Sequence, residues 1–363
     1  EYRLEEVIEG FEEEYMQNGV LYILLSRYLP GLMNSPHFAI LPSHPKDEYP
    51  IARQMKRKFY LHLGETNTGK TYHAMKKLEL GEDGIYLAPL RLLALENYEK
   101  MNQDGVKCHL LTGEEEVLIE GAHHISCTIE KLDLEKEYHV AVIDEVQLIQ
   151  DSIRGASWTR AILGILSPEI HLCGALNVKS LLIQMITECG DEYECIEYFR
   201  NIPLQFESTA YQLNKPIKGD ALIAFSKKKV LELSRYYQDR GFKTSIIYGD
   251  LPPEVRRIQY QSFSEGQSEL LISTDAIGMG VNLPIRRIVF VSAKKFDGEV
   301  VRELTSQEVK QIAGRAGRKG IYEIGYVTGL DEHLAFVKEK LECKDEVIQQ
   351  AIIGPHESML EIK

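Results

Sequence analysis

Directly after the β-prone run Phe59–Leu63 the chain reads Gly64-Glu65-Thr66-Asn67-Thr68-Gly69-Lys70-Thr71, a full match to G-x-x-x-x-G-K-[ST], and then turns helical. That layout suits phosphate. The loop backbone offers N–H groups, the helix N-terminus adds positive potential, Lys70 neutralises the outer phosphates, and the Thr71 hydroxyl can ligate Mg²⁺. Downstream, the apolar run His139–Ile143 ends in Asp144 and Glu145, where a buried strand delivers two adjacent carboxylates to a sheet edge. One can hold a metal and the next can orient an attacking water as general base. The second half adds Gln311-Ile312-Ala313-Gly314-Arg315-Ala316-Gly317-Arg318. Arg315 and Arg318 are three apart, so on a helix they share a face, and the glycines beside them permit close approach to another surface. Two guanidiniums presented across a cleft act as arginine fingers on a terminal phosphate.

These groups need a scaffold that brings distant segments to one edge. From Phe59 onward, short β-rich runs alternate with helical ones, which predicts parallel sheets with crossover helices. Strands are expected at Phe59–Leu63, Ile85–Ala88, Val106–Leu111, His124–Thr128, Val140–Ile143 and Ile170–Cys173. After a break at Pro203 and Pro216, further strands are expected at Ala221–Ser226, Thr244–Tyr248, Leu270–Thr274, Ile288–Ser292 and Gly325–Thr328. The expected organisation is an acidic helical segment and linker at 1–50, a first α/β domain at 51–210, a second at 211–330, and a helical C-terminal extension at 331–363. Leu4, Val7, Ile8, Phe11 and Tyr15 recur at helical spacing in the first of these.

The chain has 363 residues, 44 % hydrophobic and 27 % charged, which excludes wholesale disorder and favours at least two domains. Its formal charge of −13 argues, taken alone, against a nucleic-acid partner. The charge is uneven, however: residues 61–210 carry 12 basic and 25 acidic side chains, whereas residues 211–330 carry 19 basic and 13 acidic. Six scattered cysteines without a C-x-x-C pair read as buried apolar residues of an intracellular protein. The apolar runs stop far short of the ~20 residues that span a bilayer, so no membrane partner is expected.

Taken together, GETNTGKT, DEVQ, STDAIGMGVNL at 273–283 and QIAGRAGR closely resemble superfamily-two DExH-box RNA helicases, specifically the Suv-three-like helicase of the mitochondrial degradosome and its bacterial relatives, among which this chain is expected to fall. APLRLLALE at 88–96, LTGEE at 111–115, RGASWTRAILG at 154–164 and IYGDLPPEVR at 247–256 extend the likeness over residues 59–330. The resemblance implies two tandem RecA-like domains with helical extensions at both ends, ATP and Mg²⁺ between the domains, and single-stranded RNA across their tops, travelled 3′ to 5′. By the same resemblance Gly64, Thr66, Asn67, Thr68, Gly69, Lys70 and Thr71 hold the triphosphate and Gly280 touches nucleotide. Thr71 and Asp144 hold the metal, Glu145 activates water, Gln147 and Gln311 couple the cleft, and Arg315 and Arg318 are the fingers. Pro89, Arg91, Thr112, Gly113, Thr128, Ser226 and Thr274 fall where family members hold the RNA backbone. Such contacts position the strand without reading sequence, and each of these hydroxyls alone suits a turn or cap equally well.

The resemblance further implies duplexes with a 3′ overhang as substrate, an exoribonuclease partner and a role in RNA turnover. The compartment is expected to be the cytoplasm, or the mitochondrial matrix if a transit peptide was removed. Ile312 stands where many relatives have Arg, and His171-Leu-Cys-Gly-Ala175 replaces the Ser-Ala-Thr string of DEAD-box enzymes. The chain ends at Lys363, where relatives usually continue, so a further C-terminal module is expected. Between Val289 and Ser306, Asp297-Gly298 predicts a hairpin. Phe296 on it either wedges a duplex apart or is an exposed surface aromatic. Three other readings remain open at this point: a nucleic-acid-stimulated ATPase that translocates without unwinding, an enzyme acting on DNA, and a scaffold without catalysis.

Overall fold

The protein is described by a computed structural model covering residues 44–249, 251–278, 283–296, 300–318 and 320–354. The helix expected at the N-terminus, Gly280 and the Asp297-Gly298 turn lie outside the described residues. The chain divides into two compact units, Glu1–Arg53 and Gln54–Lys363. The described part of the first holds a 3-10 turn at Pro45–Glu48 and most of α1 (Pro50–Gln54).

The larger unit is built on two sheets. The first has eight strands: β1 (Lys58–Gly64), β2 (Gly84–Ala88), β3 (Cys108–Leu111), β4 (Glu116–Val117), β5 (His124–Thr128), β6 (Val140–Ile143), β7 (Glu169–Gly174) and β8 (Glu192–Tyr198). Their order is β4-β3-β5-β2-β6-β7-β1-β8, and all pairs are parallel except β3 with β4. The crossovers include α2 (Lys70–Leu80), α3 (Arg91–Gln103), α4 (Gly155–Gly164) and α5 (Lys179–Glu188). β2, β5 and β6 are buried along their whole length; β2 and β6 read as apolar runs, whereas β5 buries His124 and Ser126 on hydrogen bonds to the Leu78 and Ala94 carbonyls.

The second sheet is fully parallel in the order β11-β12-β10-β13-β16-β9. Its strands are β9 (Leu204–Phe206), β10 (Asp220–Ile223), β11 (Thr244–Ile247), β12 (Leu270–Ser273), β13 (Arg287–Phe290) and β16 (Gly325–Gly329). Between β13 and β16 the antiparallel pair β14 (Lys294–Phe296) and β15 (Val301–Glu303) stands apart. The helices are α6 (Lys227–Gln238), α7 (Pro253–Ser264), α8 (Ser306–Ala313) and α9 (Asp331–Glu342). Helix α8 starts with a capping box: the Thr305 hydroxyl accepts from the Glu308 N–H, and the Glu308 carboxylate accepts from the Thr305 N–H. Its stripe Val309, Ile312 and Ala313 joins the core of this sheet. Buried charges are paired, Arg57 with Asp191 and Arg287 with Asp220, as the cost of an isolated buried charge demands.

The two sheets belong to tandem α/β domains that meet through α3. Leu92 packs against the core of the second sheet, and Glu99 Oε1 lies 2.8 Å from Arg257 Nη1 on α7. The chain changes sheets between Tyr198 and Leu204, and β9 lies N-terminal to the break expected near residue 210. The antiparallel pairing of β14 with β15, with Phe296 opposite Val301, agrees with the hairpin expected around Asp297-Gly298. Two further features depart from expectation. β8 was not expected because its sequence EYECIEY is charged, yet as an edge strand it pairs only with β1 and keeps those side chains in water. The helix after Asp331 stops at Glu342 instead of continuing. Residues 343–354 then run without helix back to the first domain, where the Ile348 N–H donates to Asn177 O (3.0 Å) and the Ile352 N–H to Ile149 O (3.1 Å). First-domain carbonyls thus satisfy groups that a helix would have satisfied internally.

Candidate active site

The carboxyl edge of the first sheet gathers most of the sequence-selected residues. β1 ends at Gly64, and the loop Gly64–Gly69 leads into Lys70, the first residue of α2. Added Cβ atoms at Gly64 would run into the Tyr198 carbonyl of β8, so glycine is needed where the loop leaves the sheet. Asn67 adopts the left-handed region (φ 63°), which non-glycine residues take at a cost in sparsely populated backbone space. Lys70 Nζ donates to Gly64 O (2.7 Å) and Glu65 O (2.6 Å) within its own loop. Burial lowers the Lys70 pKa, and the Glu145 and Asp144 carboxylates oppose that shift.

Asp144 sits one residue past β6 and is 6 % exposed. Its Oδ1 accepts from the Thr71 hydroxyl (3.1 Å) and its Oδ2 from the Tyr86 hydroxyl (3.0 Å), while its carbonyl accepts from the Trp158 indole N–H (3.0 Å). Burial, reinforced by the neighbouring Glu145 carboxylate, pushes its pKa up to about 6. A divalent cation at Thr71 and Asp144 would relieve that penalty, and two protein oxygens plus phosphate oxygens are a usual set for Mg²⁺. Among the described residues no cluster of three or more His, Cys, Asp or Glu could hold a metal without such help. Glu145 is also left-handed (φ 50°) and accepts from the Gln147 amide, whose Oε1 in turn accepts from the Ala175 N–H (3.0 Å). The string that departs from Ser-Ala-Thr therefore still reaches Gln147 and Glu145, through its main chain.

The second domain closes the site. A cavity of about 930 Å³ is lined by the whole loop Gly64–Thr71, by Asp144, Glu145 and Gln147, and by Gln307, Gln311, Gly314 and Arg315. Helix α8 ends at Ala313, so Arg315 and Arg318 lie in the turn beyond it and not on a shared helical face; Gly317 takes φ 80° there. The stop follows from docking: the Asn67 amide donates to Gly317 O (2.7 Å), and Gly314 abuts Thr66. Arg315 lines the cavity with the Glu145 and Asp144 carboxylates supporting its charge against burial, whereas Arg318 is not among the lining residues. Arg200, in the connector between the sheets, was not singled out by its sequence, which carries no motif; it lines the same cavity. Tyr86, buried in β2, was missed for the same reason.

The candidate nucleic-acid residues lie on the other half of that edge. Strands β3, β5 and β2 are neighbours, which sets Thr112 and Gly113, Thr128, and Pro89 and Arg91 side by side, next to the half formed by β6, β7 and β1 that carries the candidate nucleotide residues. Thr112 shapes a turn with Glu115, exchanging hydrogen bonds of 3.1 and 3.0 Å. Arg91 is ion-paired with Glu114 and Glu115, and the Pro89 carbonyl accepts from Arg154 (2.6 Å). In the second domain Ser226 caps α6 by accepting from the Lys229 N–H, and Thr274 accepts from the Ala276 N–H. Ser226 and Thr274 meet on a cavity of about 410 Å³ that also includes Leu90, Leu92, Tyr248 and Arg256. Phe296 stands apart on β14 and is 61 % exposed.

Two parallel-sheet domains that enclose one nucleotide-sized cavity, with a phosphate loop on one side and a basic turn on the other, form a helicase core. Comparison with known proteins identifies both domains: residues 45–198 match the DEXQ-box helicase domain of Suv3, and residues 205–320 match the helicase conserved C-terminal domain. The chain thus carries a Suv3-type DEXQ-box helicase domain followed by a helicase C-terminal domain. It is 43 % identical to "ATP-dependent RNA helicase SUV3, mitochondrial" of Candida albicans over 86 % of this chain and 45 % of that protein. It is 41 % identical to human "ATP-dependent RNA helicase SUPV3L1, mitochondrial" over 88 % and 42 %, and 42 % identical to a rice SUV3 helicase over 90 % and 57 %. The chain thus spans about half the length of the curated relatives it matches.

Proposed function

We propose that this chain is the motor of an ATP-dependent RNA helicase that moves 3′ to 5′ on single-stranded RNA and opens duplexes bearing a 3′ overhang, in RNA turnover beside an exoribonuclease. The observation that carries the reading is the single cavity on which Lys70, Asp144, Glu145 and Arg315 converge from two domains. Lys70 and the loop N–H groups bind phosphate, and Thr71 and Asp144 hold Mg²⁺, which supplies charge neutralisation when bound. Glu145 takes the proton of the attacking water, and Arg315 stabilises charge developing on the terminal phosphate. Thr112, Thr128, Arg91, Ser226 and Thr274 line the track for the RNA backbone, and Gly280 touches nucleotide. Arg318, the second finger that the resemblance implies, does not line the cavity. The relatives named above are RNA helicases of mitochondria, which favours RNA over DNA and the mitochondrial matrix over the cytoplasm.

The test is ATP hydrolysis with and without single-stranded RNA or DNA, with Glu145→Gln as control. RNA stimulates the wild type more than DNA does, and Glu145→Gln falls about 10²- to 10⁴-fold, the range for losing a general base. No stimulation by nucleic acid, or full activity in Glu145→Gln, overturns the reading.

A further inference from the structure

The finger turn has no secondary structure of its own around Arg315, since α8 stops at Ala313 and the next strand begins at Gly325. Something outside the turn must fix where the Arg315 side chain points. Arg200 supplies such a hold from the connector. Its Nη1 donates to Gly314 O (2.7 Å) and its Nη2 to Ala316 O, the carbonyls that flank Arg315 on either side. Its Nε donates to Ile202 O (2.6 Å), which anchors the guanidinium to the connector, and its own N–H donates to Glu65 Oε2 of the phosphate loop (3.2 Å).

We propose that Arg200 is a positioning residue for catalysis, which sets the Arg315 finger by gripping the two carbonyls beside it and ties that grip to the phosphate loop. Only a planar fork reaches three carbonyls at once in this way; an ammonium on a flexible stem keeps the charge but not the geometry. The Asn67 bond to Gly317 O extends the same arrangement, so the carbonyls of residues 314, 316 and 317 are all held by side chains from outside the second domain. A phosphate loop that changes shape on binding nucleotide then moves the finger turn with it. The inference rests on the proposed ATPase reading and adds a residue that no sequence motif marks.

The test compares RNA-stimulated kcat and the affinity for a fluorescent ATP analogue in Arg200→Lys, Arg200→Ala, Arg315→Ala and the double variant Arg200→Ala/Arg315→Ala, each checked for its melting temperature. Both Arg200 variants should lose about 10- to 10²-fold in kcat, as a displacement of roughly 1 Å in a catalytic group does. Analogue affinity should stay within about threefold, and the double variant should be no slower than Arg315→Ala alone, because both changes remove one contribution. Arg200→Lys guards against a folding defect, since it preserves charge and most of the volume. An unchanged kcat in either Arg200 variant overturns the proposal, as do losses that multiply in the double variant. A fall in analogue affinity that matches the fall in kcat also overturns it, because Arg200 is then a direct nucleotide ligand. Full activity in Arg315→Ala would defeat the finger assignment itself, and the inference with it.

Discussion

At the scale of single residues, the cleft depends on contacts too close for an extra methyl group. A Cβ on Gly314 would lie 2.6 Å from Thr66 Cβ and 3.0 Å from Lys310 O, well inside van der Waals contact. Neither neighbour can yield freely, since Thr66 belongs to the phosphate loop and Lys310 O accepts the Gly314 N–H at 2.8 Å. Gly314→Ala should therefore separate the finger turn from the phosphate loop and lower kcat by about 10- to 10²-fold, while folding stability measured in urea changes by less than ~2 kcal/mol. Wild-type turnover in this variant would show that the two loops do not work at contact distance.

At the scale of elements, helix α8 links the cavity to the hairpin through one carboxylate. Glu308 Oε1 lies 2.7 Å from Lys295 Nζ on β14, and both its oxygens accept from Arg302 on β15 at 2.9 Å. It also closes the capping box of the helix that carries Gln311. Burial pushes its pKa up, but Arg302, Lys295 and the Thr305 N–H outweigh that and hold it down to about 2. A carboxylate whose folded pKa lies below its unfolded value of 4.5 stabilises the native state fully above pH 4.5, and that contribution is lost as the pH falls toward 2. Because Glu308 and its partners Arg302 and Lys295 are partly open to solvent, which screens the pairs, the contribution to stability is on the order of 1 kcal/mol. Glu308→Gln is expected to lose stability of that order at pH 7, with the difference from wild type shrinking as the pH is lowered from 5 toward 3. If the hairpin works through α8, the same variant and Phe296→Ala reduce duplex unwinding more than ATP hydrolysis. Equal loss of both activities in both variants would contradict that link.

At the scale of the whole molecule, the net charge of −13 conceals a basic second domain, with 19 basic and 13 acidic residues between 211 and 330. Acidic groups more than a Debye length of ~8 Å from the RNA track are largely screened at physiological salt, whereas each phosphate contact releases counterions. Affinity for single-stranded RNA should therefore fall steeply with salt. Five or so phosphate contacts give a slope near −3.5 in log affinity against log salt, at about −0.7 per contact. Fluorescence anisotropy across a salt series measures it, and affinity independent of salt would remove the proposed backbone track. Truncation before Ile348 should weaken the hold between the domains, read as a lower melting temperature, since the Ile348 and Ile352 N–H groups both donate to first-domain carbonyls.

Local chemistry made much of this legible in advance. The phosphate loop needs two glycines at fixed spacing followed by Lys and Thr, and strands covered on both faces need largely apolar runs, so GETNTGKT and the strands ending at Ala88, Ile143 and Ser273 stand out in the chain itself. Edge strands β8 and β9 face water on one side and carry no such pattern. The end of α8 at Ala313 was equally hidden, because what stops the helix is Thr66, Asn67 and Arg200, which lie 114 to 250 residues from their partners in the chain. Sequence by itself determined which groups can bind phosphate, activate water and supply positive charge, since those properties belong to residue types at short spacing. Only the tertiary structure decided which arginine reaches the cavity and what holds it there, because backbone carbonyls have no sequence signature and become ligands only when packing turns them toward a side chain.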